Sequence, residues 1–214
     1  MKVTFKNRLQ NVIFLLVILK SCLCFSQIIA PKKIIVIDPG HGGMDPGALG
    51  VLNVREKDVV LNLAKEIVQL NKSVLDSRFE IHLTRHNDTL IALKDRSQFS
   101  KRLKADVFLS LHCNAALNFA YGMEAYVLEK ASVNGNYSLN LASSLLKEVN
   151  HNLGFKNRGV KYSNFQVLRD TAPFCTSVLL EIGFITHDKE AAYFLRSKNT
   201  RAMALAILMG LLKS

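Results

Sequence analysis

The sequence of 214 residues predicts a single α/β domain with a mainly parallel sheet covered by helices on both faces. Three observations lead to this prediction. Short β-branched apolar runs alternate with amphipathic helical segments along the chain, which is typical of parallel sheets. The 49% of hydrophobic residues can bury a sizeable core, which excludes general disorder. The length that remains after an amino-terminal leader fits one domain.

The first 26 residues have the layout of a secretory signal peptide. Basic residues precede an unbroken apolar run over residues 12–19, and small side chains stand just before a cut at Gln27. The run is too short to span a bilayer. A lipoprotein signal acylated at Cys22 or Cys24 and a buried amino-terminal helix are the alternatives. The leader predicts that the mature chain, residues 27–214, is exported to the periplasm or cell envelope, with no transmembrane segment after cleavage.

The elements of the mature chain follow in order from their patterns. Strands are expected where β-branched and apolar residues run together and end at turn residues. Helices are expected where apolar residues recur three or four positions apart, as they do from Val60 to Val74. The predicted strands are residues 33–38, 79–84, 107–112, 122–128 and 177–182. The predicted helices are residues 57–74, 90–103, 139–149, 188–195 and 201–212.

Three segments carry more specific expectations. In the second helix, Leu93 and Phe99 should face the core. The last helix is apolar nearly all round, so we expect it to pack into the core. Residues 115–166 form the least regular stretch, and an insertion or a mobile flap is expected there.

The charge balance indicates the class of partner. The chain carries a formal charge of +11, and four positive charges lie in the leader, which leaves +7 on the mature protein. A basic exported domain suits polyanionic surfaces such as cell-wall polymer or anionic lipid. We expect no nucleic-acid partner, because the protein is exported and its aromatic residues do not interleave with basic ones. Of the cysteines, Cys113 and Cys175 remain, and either a disulfide or two buried thiols fits the sequence.

Unusual polar residues stand at the ends of predicted strands. In a parallel α/β sheet, ligands bind outside the carboxyl ends of the strands. His41 leaves the first strand into a glycine-rich loop, His112 ends a buried strand, and Glu181 lies inside an apolar strand. A carboxylate in such a strand is costly to bury unless a cation or a proton offsets it. Each residue alone also fits a structural role, but three at one sheet edge indicate a functional site.

The residue types at this edge point to a metal. Two histidines and one carboxylate around an open position are typical of a catalytic zinc site. Glu56 can supply the carboxylate, because it lies fifteen residues after His41, where the loop turns into the first helix. The alternative for Glu56 is an exposed helix-start residue favoured by the helix dipole. Asp38 can hold His41 in position from outside the set of metal ligands, or it can accept hydrogen bonds from the amides of its own loop.

Five segments, in order, match the motifs of one family. They are Ile37-Asp38-Pro39-Gly40-His41-Gly42-Gly43 with Asp45-Pro46-Gly47, Arg55-Glu56-Lys57, Leu83-Thr84-Arg85, Ser110-Leu111-His112-Cys113-Asn114-Ala115 and Leu180-Glu181-Ile182-Gly183-Phe184. The chain resembles the zinc-dependent N-acetylmuramoyl-L-alanine amidases with the amidase-3 type of catalytic domain. The resemblance runs from residue 34 to residue 194, nearly the whole mature chain, and makes residues 27–214 an amidase catalytic domain.

The resemblance implies both a fold and a mechanism. It implies a twisted six-stranded sheet, Zn²⁺ held by His41, Glu56 and His112, and Glu181 as the catalytic carboxylate. The expected substrate is peptidoglycan, and the bond cut joins N-acetylmuramic acid to L-alanine of the stem peptide. Glu181 would take a proton from the metal-activated water and deliver it to the departing amine.

Other positions in the motifs carry weaker expectations. Asn114 and Arg169 are candidates for substrate contacts, although a strand-end Asn and a loop Arg also serve as local hydrogen-bonding groups. Two positions depart from the family pattern. Cys113 stands where a small or apolar residue is usual, and His187 stands where an Asn is common after the glutamate strand. Neither departure alters the four site residues.

Three other functions stay open from the sequence. A different zinc peptidase with a similar sheet would use the same metal-assisted hydrolysis on the peptide bonds of cell-wall peptides. A non-enzymatic wall-binding homologue would be marked by loss of a zinc ligand or of the catalytic glutamate, and all four residues are present. An enzyme held inactive until an activator protein moves a blocking element also fits, and residues 115–166 are the candidate segment.

Overall fold

A computed structural model gives the architecture of the chain and describes residues 10–15, 31–117, 119–128 and 133–214. Residues 10–15 are helical and belong to a unit of their own, Met1–Pro31. The second unit is Lys32–Ser214. Most of the proposed leader and its cleavage site lie outside the described residues, so the leader stays a prediction. None of the described helices combines the length and the apolar character that crossing a membrane requires.

Six strands form one sheet in the second unit. They are β1 (Ile34–Pro39), β2 (Glu80–Leu83), β3 (Val107–Asn114), β4 (Met123–Val127), β5 (Asn157–Tyr162) and β6 (Thr176–Phe184). Their order across the sheet is β2-β1-β3-β6-β4-β5. β2, β1, β3 and β6 run parallel, whereas β4 is antiparallel to β6 and β5 is parallel to β4. The prediction of a six-stranded, mainly parallel sheet is confirmed.

Helices pack on both faces of this sheet. They are α1 (Glu56–Ser73), α2 (Leu93–Arg102), α3 (Gly135–Leu153), α4 (Gln166–Thr171), α5 (Asp188–Phe194) and α6 (Ser197–Leu212). One core lies between the sheet and α1, α3, α5 and α6, and the second lies under α2 and α4. Because side chains alternate along a strand, Ile35 and Ile37 enter the first core and Val36 enters the second.

The last helix packs into the core, as its composition predicts. α6 contacts α1 and α3, and Met203, Ile207 and Leu208 are fully buried. A Cβ at Gly210 would lie 2.9 Å from the Cα of Leu145. Glycine at this position therefore lets α6 approach α3 closely.

One expectation for an individual side chain is wrong. Leu93, expected in the core, is 50% exposed, because it is the first residue of α2 and stands at the mouth of a cavity. Phe99 packs against the second core as expected. The segment 115–166 contains β4, α3 and β5. Residues 118 and 129–132 of this segment lie outside the described residues, so the expected insertion or flap stays a prediction. In the structure, Cys113 and Cys175 are buried free thiols.

Candidate metal centre

Asp38 anchors the loop that carries His41. Its buried carboxylate accepts hydrogen bonds from Arg96, Thr84 and Ser110, at 2.8, 2.6 and 2.9 Å. Arg96 also donates, through Nη2, to the backbone carbonyl of His41 at 2.8 Å. Asp38 therefore supports His41 indirectly, through the guanidinium group of Arg96.

A second buried arginine joins this loop to helix α1. Arg85 donates to the carbonyls of Pro39, Gly40 and Lys57, at 3.0, 2.8 and 2.8 Å. No role was expected for Arg85 or Arg96. The available signal was the arginine that directly follows the second strand, in Leu83-Thr84-Arg85.

The three predicted metal ligands come together at the carboxyl ends of β1 and β3. His41 Nε2 lies 3.1 Å from Glu56 Oε1, and His112 Nδ1 lies 2.9 Å from the same oxygen. One donor atom from each of the three side chains lies within 4.8 Å of the others. Glu56 is the first residue of α1 but is only 3% exposed, so the exposed helix-start alternative is wrong. A Cβ at Gly40 would stand 2.4 Å from the His112 ring, so glycine makes room for that imidazole.

Outer contacts hold the cluster in place. His41 turns its other ring nitrogen, Nδ1, to Asp45 Oδ2 at 2.7 Å. The carboxylate of Glu56 accepts hydrogen bonds from the backbone amides of Ala48 and Cys113, at 2.8 and 2.9 Å. A carboxylate on the far nitrogen of a histidine is the usual way in which proteins orient an imidazole toward a metal.

The electrostatics of the cluster require a cation. Burial lowers the pKa of His41, but its hydrogen bonds with Glu56 and Asp45 outweigh burial and raise that pKa to about 9. Burial raises the pKa of Glu56, but the hydrogen bonds with His112 and His41 outweigh it and hold the pKa well below its usual range. The buried carboxylate of Glu56 is therefore charged and needs a positive partner, which a protonated imidazole or a metal ion can supply.

Glu181 faces this cluster from β6. It is the sheet neighbour of His112 on one side and of Glu124 on the other. Burial raises the pKa of Glu181 to about 7, against the opposing effect of His112. Its Oε2 has no hydrogen-bond partner among the residues that the structure describes. A carboxyl that titrates near neutrality and has a free oxygen can accept a proton and return it.

His41 and His112 of the cluster line one cavity of about 690 Å³ together with Glu181. Its other walls are largely apolar and come from the segment before α2 and from the start of α4, with Leu90, Ile91, Leu93, Phe165 and Val167. This wall was not predicted, because its residues lie in loops and first helical turns, where no hydrophobic period is visible in the sequence. The cavity can take a substrate that presents both polar and apolar groups.

The two weaker site candidates lie apart from the ligand cluster. Asn114 ends β3, and its Nδ2 donates to Glu124 Oε1 at 2.7 Å. Arg169 lies on α4 and donates to the carbonyl of Asn164 at 3.2 Å. Arg169 is not among the described residues that line the 690 Å³ cavity. The substrate-contact roles of Asn114 and Arg169 stay predictions.

Glu124 is a buried carboxylate with four side-chain hydrogen-bond partners, and no role was expected for it. Besides Asn114, its carboxylate accepts hydrogen bonds from Tyr126 at 2.8 Å, Arg158 at 2.8 Å and Lys161 at 2.6 Å. Burial raises the pKa of Glu124, but the hydrogen bonds from Lys161 and Arg158 outweigh it and bring the pKa to about 2. Glu124 therefore ties β5 to β4 beside the strand of the catalytic candidate.

Comparison with known proteins identifies the family and the fold of the chain. The family model described as N-acetylmuramoyl-L-alanine amidase, Amidase_3, matches residues 35–213. The chain belongs to this family. An endolysin of Bacillus phage SPP1 is 37% identical over 166 residues, which cover 75% of this chain and 58% of that protein. The chain thus spans less than two thirds of that relative.

Solved structures of amidases share the fold of this amidase-family chain. The N-acetylmuramoyl-L-alanine amidase AmiC2 of Nostoc punctiforme matches with a TM-score of 0.76 and 32% identity, over 86% of this chain and 97% of that one. The CwlD amidase from Clostridioides difficile, solved in complex with the GerS lipoprotein, matches with a TM-score of 0.76 and 27% identity, over 85% and 98%. The predicted family and fold are confirmed.

Proposed function

We propose that this amidase-family member is a zinc-dependent peptidoglycan hydrolase. It cleaves the amide bond between N-acetylmuramic acid and L-alanine of the stem peptide. One observation carries the proposal: His41, Glu56 and His112 form one cluster, and the two histidines of this cluster line the same cavity as the carboxyl of Glu181. The description of the matching family supports the choice of bond.

The donor set fits zinc. Two imidazole nitrogens and one carboxylate, with room for a further ligand in the cavity, form the typical ligand set of catalytic zinc, whereas Mg²⁺ and Ca²⁺ prefer oxygen ligands alone. His41, Glu56 and His112 would hold the ion, and Asp45 keeps the His41 ring in position. When bound, Zn²⁺ supplies a water of lowered pKa, about 7, and polarises the substrate carbonyl.

Glu181 supplies the proton transfer. Its free Oε2 would take a proton from the attacking water and give it to the departing amino group of L-alanine, which leaves as a free amine. A pKa of about 7 suits both halves of this task, because the carboxyl is neither firmly ionised nor firmly protonated at neutral pH. The wall that includes Leu90 and Phe165 offers an apolar surface on which the substrate can lie.

The cellular setting is part of the proposal. The leader of residues 1–26 and the charge of +7 that remains without it support export to the periplasm or cell envelope, where peptidoglycan lies. An activator protein is a further proposed partner. The CwlD amidase, which shares this fold, was solved in complex with a lipoprotein, and this supports such a partner.

Fragment analysis tests the proposal. The purified protein is incubated with peptidoglycan, with and without a chelator, beside Glu181→Gln, and the released fragments are weighed by mass spectrometry. We expect stem peptides with a free L-alanine amino terminus, lost on chelation and in the variant. Fragments cut within the stem peptide would show a peptidase instead. No release by zinc-loaded protein would contradict an enzyme that works without an activator.

A further inference from the structure

A second cavity, of about 450 Å³, lies near the carboxyl end of β6. It is lined by Tyr121, Phe155, Lys156, His187, Lys189 and Tyr193, together with neighbouring residues. It shares none of its described lining residues with the cavity of the metal cluster. The proposed chemistry does not use it.

The second cavity is built onto the sheet edge that carries Glu181. Tyr121 comes just before β4, and His187 comes three residues after the end of β6. The carboxylate of Glu190 joins these two segments, because it accepts hydrogen bonds from the amides of Gly122 at 2.8 Å and Phe184 at 2.7 Å. The end of β6 is three residues from Glu181, about 10 Å along a strand.

Aromatic rings and lysines give this cavity its chemistry. Lys156 Nζ lies 5.0 Å from the centre of the Tyr121 ring, and the rings of Tyr121 and His187 are 5.5 Å apart. Lys189 adds a second exposed cation. The carboxylate of Glu190, which also lines this cavity, accepts its hydrogen bonds from the backbone amides of Gly122 and Phe184. The cavity therefore suits an anionic group on a carbon chain.

His187 contributes a polar atom that is not used inside the protein. Its Nδ1 is buried and has no hydrogen-bond partner among the described residues. This histidine is also one of the two departures from the family pattern. A buried polar atom without a partner is costly.

We propose that the second cavity binds a free carboxylate of the stem peptide and thereby orients the peptide that leaves the cleaved bond. The inference rests on the proposed function for its substrate. An extended peptide advances about 3.3–3.6 Å per residue, so a group about three residues from the scissile bond can reach the end of β6. Lys156 and Lys189 pair with the carboxylate, and Tyr121 and Tyr193 flank its carbon chain.

A binding measurement tests the proposed carboxylate site without requiring catalysis. The full protein is titrated with a synthetic stem tripeptide that has free carboxylates, and with the same peptide fully amidated. Dissociation constants are measured by calorimetry for the unchanged protein, Lys156→Gln and the control Lys65→Gln, whose exposed lysine lies on α1 outside both cavities. We expect the free peptide to bind about threefold more tightly than the amidated one. Lys156→Gln removes this preference, and Lys65→Gln keeps it.

Several results would overturn the inference. They are equal binding of the two peptides, a preference that survives Lys156→Gln, or tighter binding of an N-acetylated disaccharide than of the tripeptide. Because the tripeptide carries no bond to cleave, its binding is independent of the amidase reaction. A protein that lacks activity but shows the preference would contradict the proposed function alone, and an active protein without the preference would contradict this inference alone.

Discussion

At the scale of single residues, Glu56 and Glu181 have the same side chain, but the pKa of Glu56 is lowered and the pKa of Glu181 is raised. Glu56 contacts two imidazoles and two backbone amides, which hold its pKa well below the usual range. Glu181 is half-buried, its buried Oε2 has no partner among the described residues, and burial raises its pKa to about 7. Burial acts alike on both carboxyls, so the hydrogen-bond partners decide which one suits a metal and which one suits proton transfer.

The Glu181→Gln substitution tests the role of proton carrier. Gln fills the same space but cannot accept and return a proton, so we expect kcat/KM to fall by about 10²–10⁴-fold. Zinc content should stay at one ion per chain, because His41, Glu56 and His112 are unchanged. Muropeptide release and elemental analysis measure the two quantities. Activity within tenfold of the unchanged enzyme would exclude Glu181 from this role.

Asp45 offers a test of the outer contacts. Since its carboxylate holds His41 Nδ1 at 2.7 Å, Asp45→Asn should weaken zinc binding by about 10–100-fold. Competition with a chromogenic chelator measures this affinity. Asp58→Asn, which alters an exposed pair with Arg55 on the same helix start, is the matched control and should leave the affinity unchanged. Equal affinities in the two variants would show that Asp45 does not orient the ring.

Glu124 links pH to stability. Its pKa is lowered to about 2 in the folded chain, below the ordinary 4.5, so the folded state favours the charged form. The stabilisation is therefore present above pH 4.5 and is lost as the pH falls toward 2. We expect Glu124→Gln to lower the free energy of unfolding by about 1–3 kcal/mol at pH 7. This range allows for solvent screening of the two ion pairs, because Arg158 and Lys161 are partly exposed. Denaturant melts across pH 3–7 should show the difference shrinking toward the acid end, and a constant difference would contradict this assignment.

At the scale of elements, the loop between β1 and the metal cluster is fitted closely to β3. Gly40 shows this, because a Cβ there would lie 2.4 Å from Cε1 and 2.7 Å from Nε2 of His112. The added methyl group must displace either the loop or the imidazole. Two buried arginines, Arg85 and Arg96, fix the loop carbonyls, so we infer that the imidazole moves.

The Gly40→Ala substitution follows from that contact. We expect activity to fall by about 10²-fold through misplacement of His112, since a shift near 1 Å has an effect of that size. Helical content by circular dichroism should be unchanged. Gly154→Ala is a contrasting control, because a Cβ there meets nothing within 4 Å and only its left-handed φ of 71° is strained. An active Gly40→Ala protein with full zinc content would contradict the fit.

The predicted elements differ in how strongly the sequence marks them. β1, β3 and β6 are buried on both faces, so their continuous apolar runs could be recognised. β5 was missed because its residues, NRGVKY, are exposed or half-buried at the sheet edge and carry no apolar run. α4 is only six residues long, too short for a helical period to appear. Leu93 followed the apolar pattern but serves as a cavity wall.

At the scale of the whole molecule, sheet topology brings the site together. His41, His112 and Glu181 were predictable from the sequence, because the carboxyl ends of parallel strands lie at the same edge of the sheet. Glu56 needed the family resemblance, since a helix-start glutamate fits solvent equally well. The contacts of Arg85, Arg96 and Glu124 were not predictable, because their partners lie far away in the sequence and only the folded chain brings them together.

The most direct test of this account is anomalous X-ray diffraction at the zinc edge from crystals of the zinc-loaded protein. We expect one peak per chain, about 2.0–2.2 Å from a nitrogen of His41, a nitrogen of His112 and an oxygen of Glu56. Glu181 should face the peak without binding it. A peak elsewhere, or zinc ligated by Glu181 in place of Glu56, would contradict the assignment of roles to the two carboxylates.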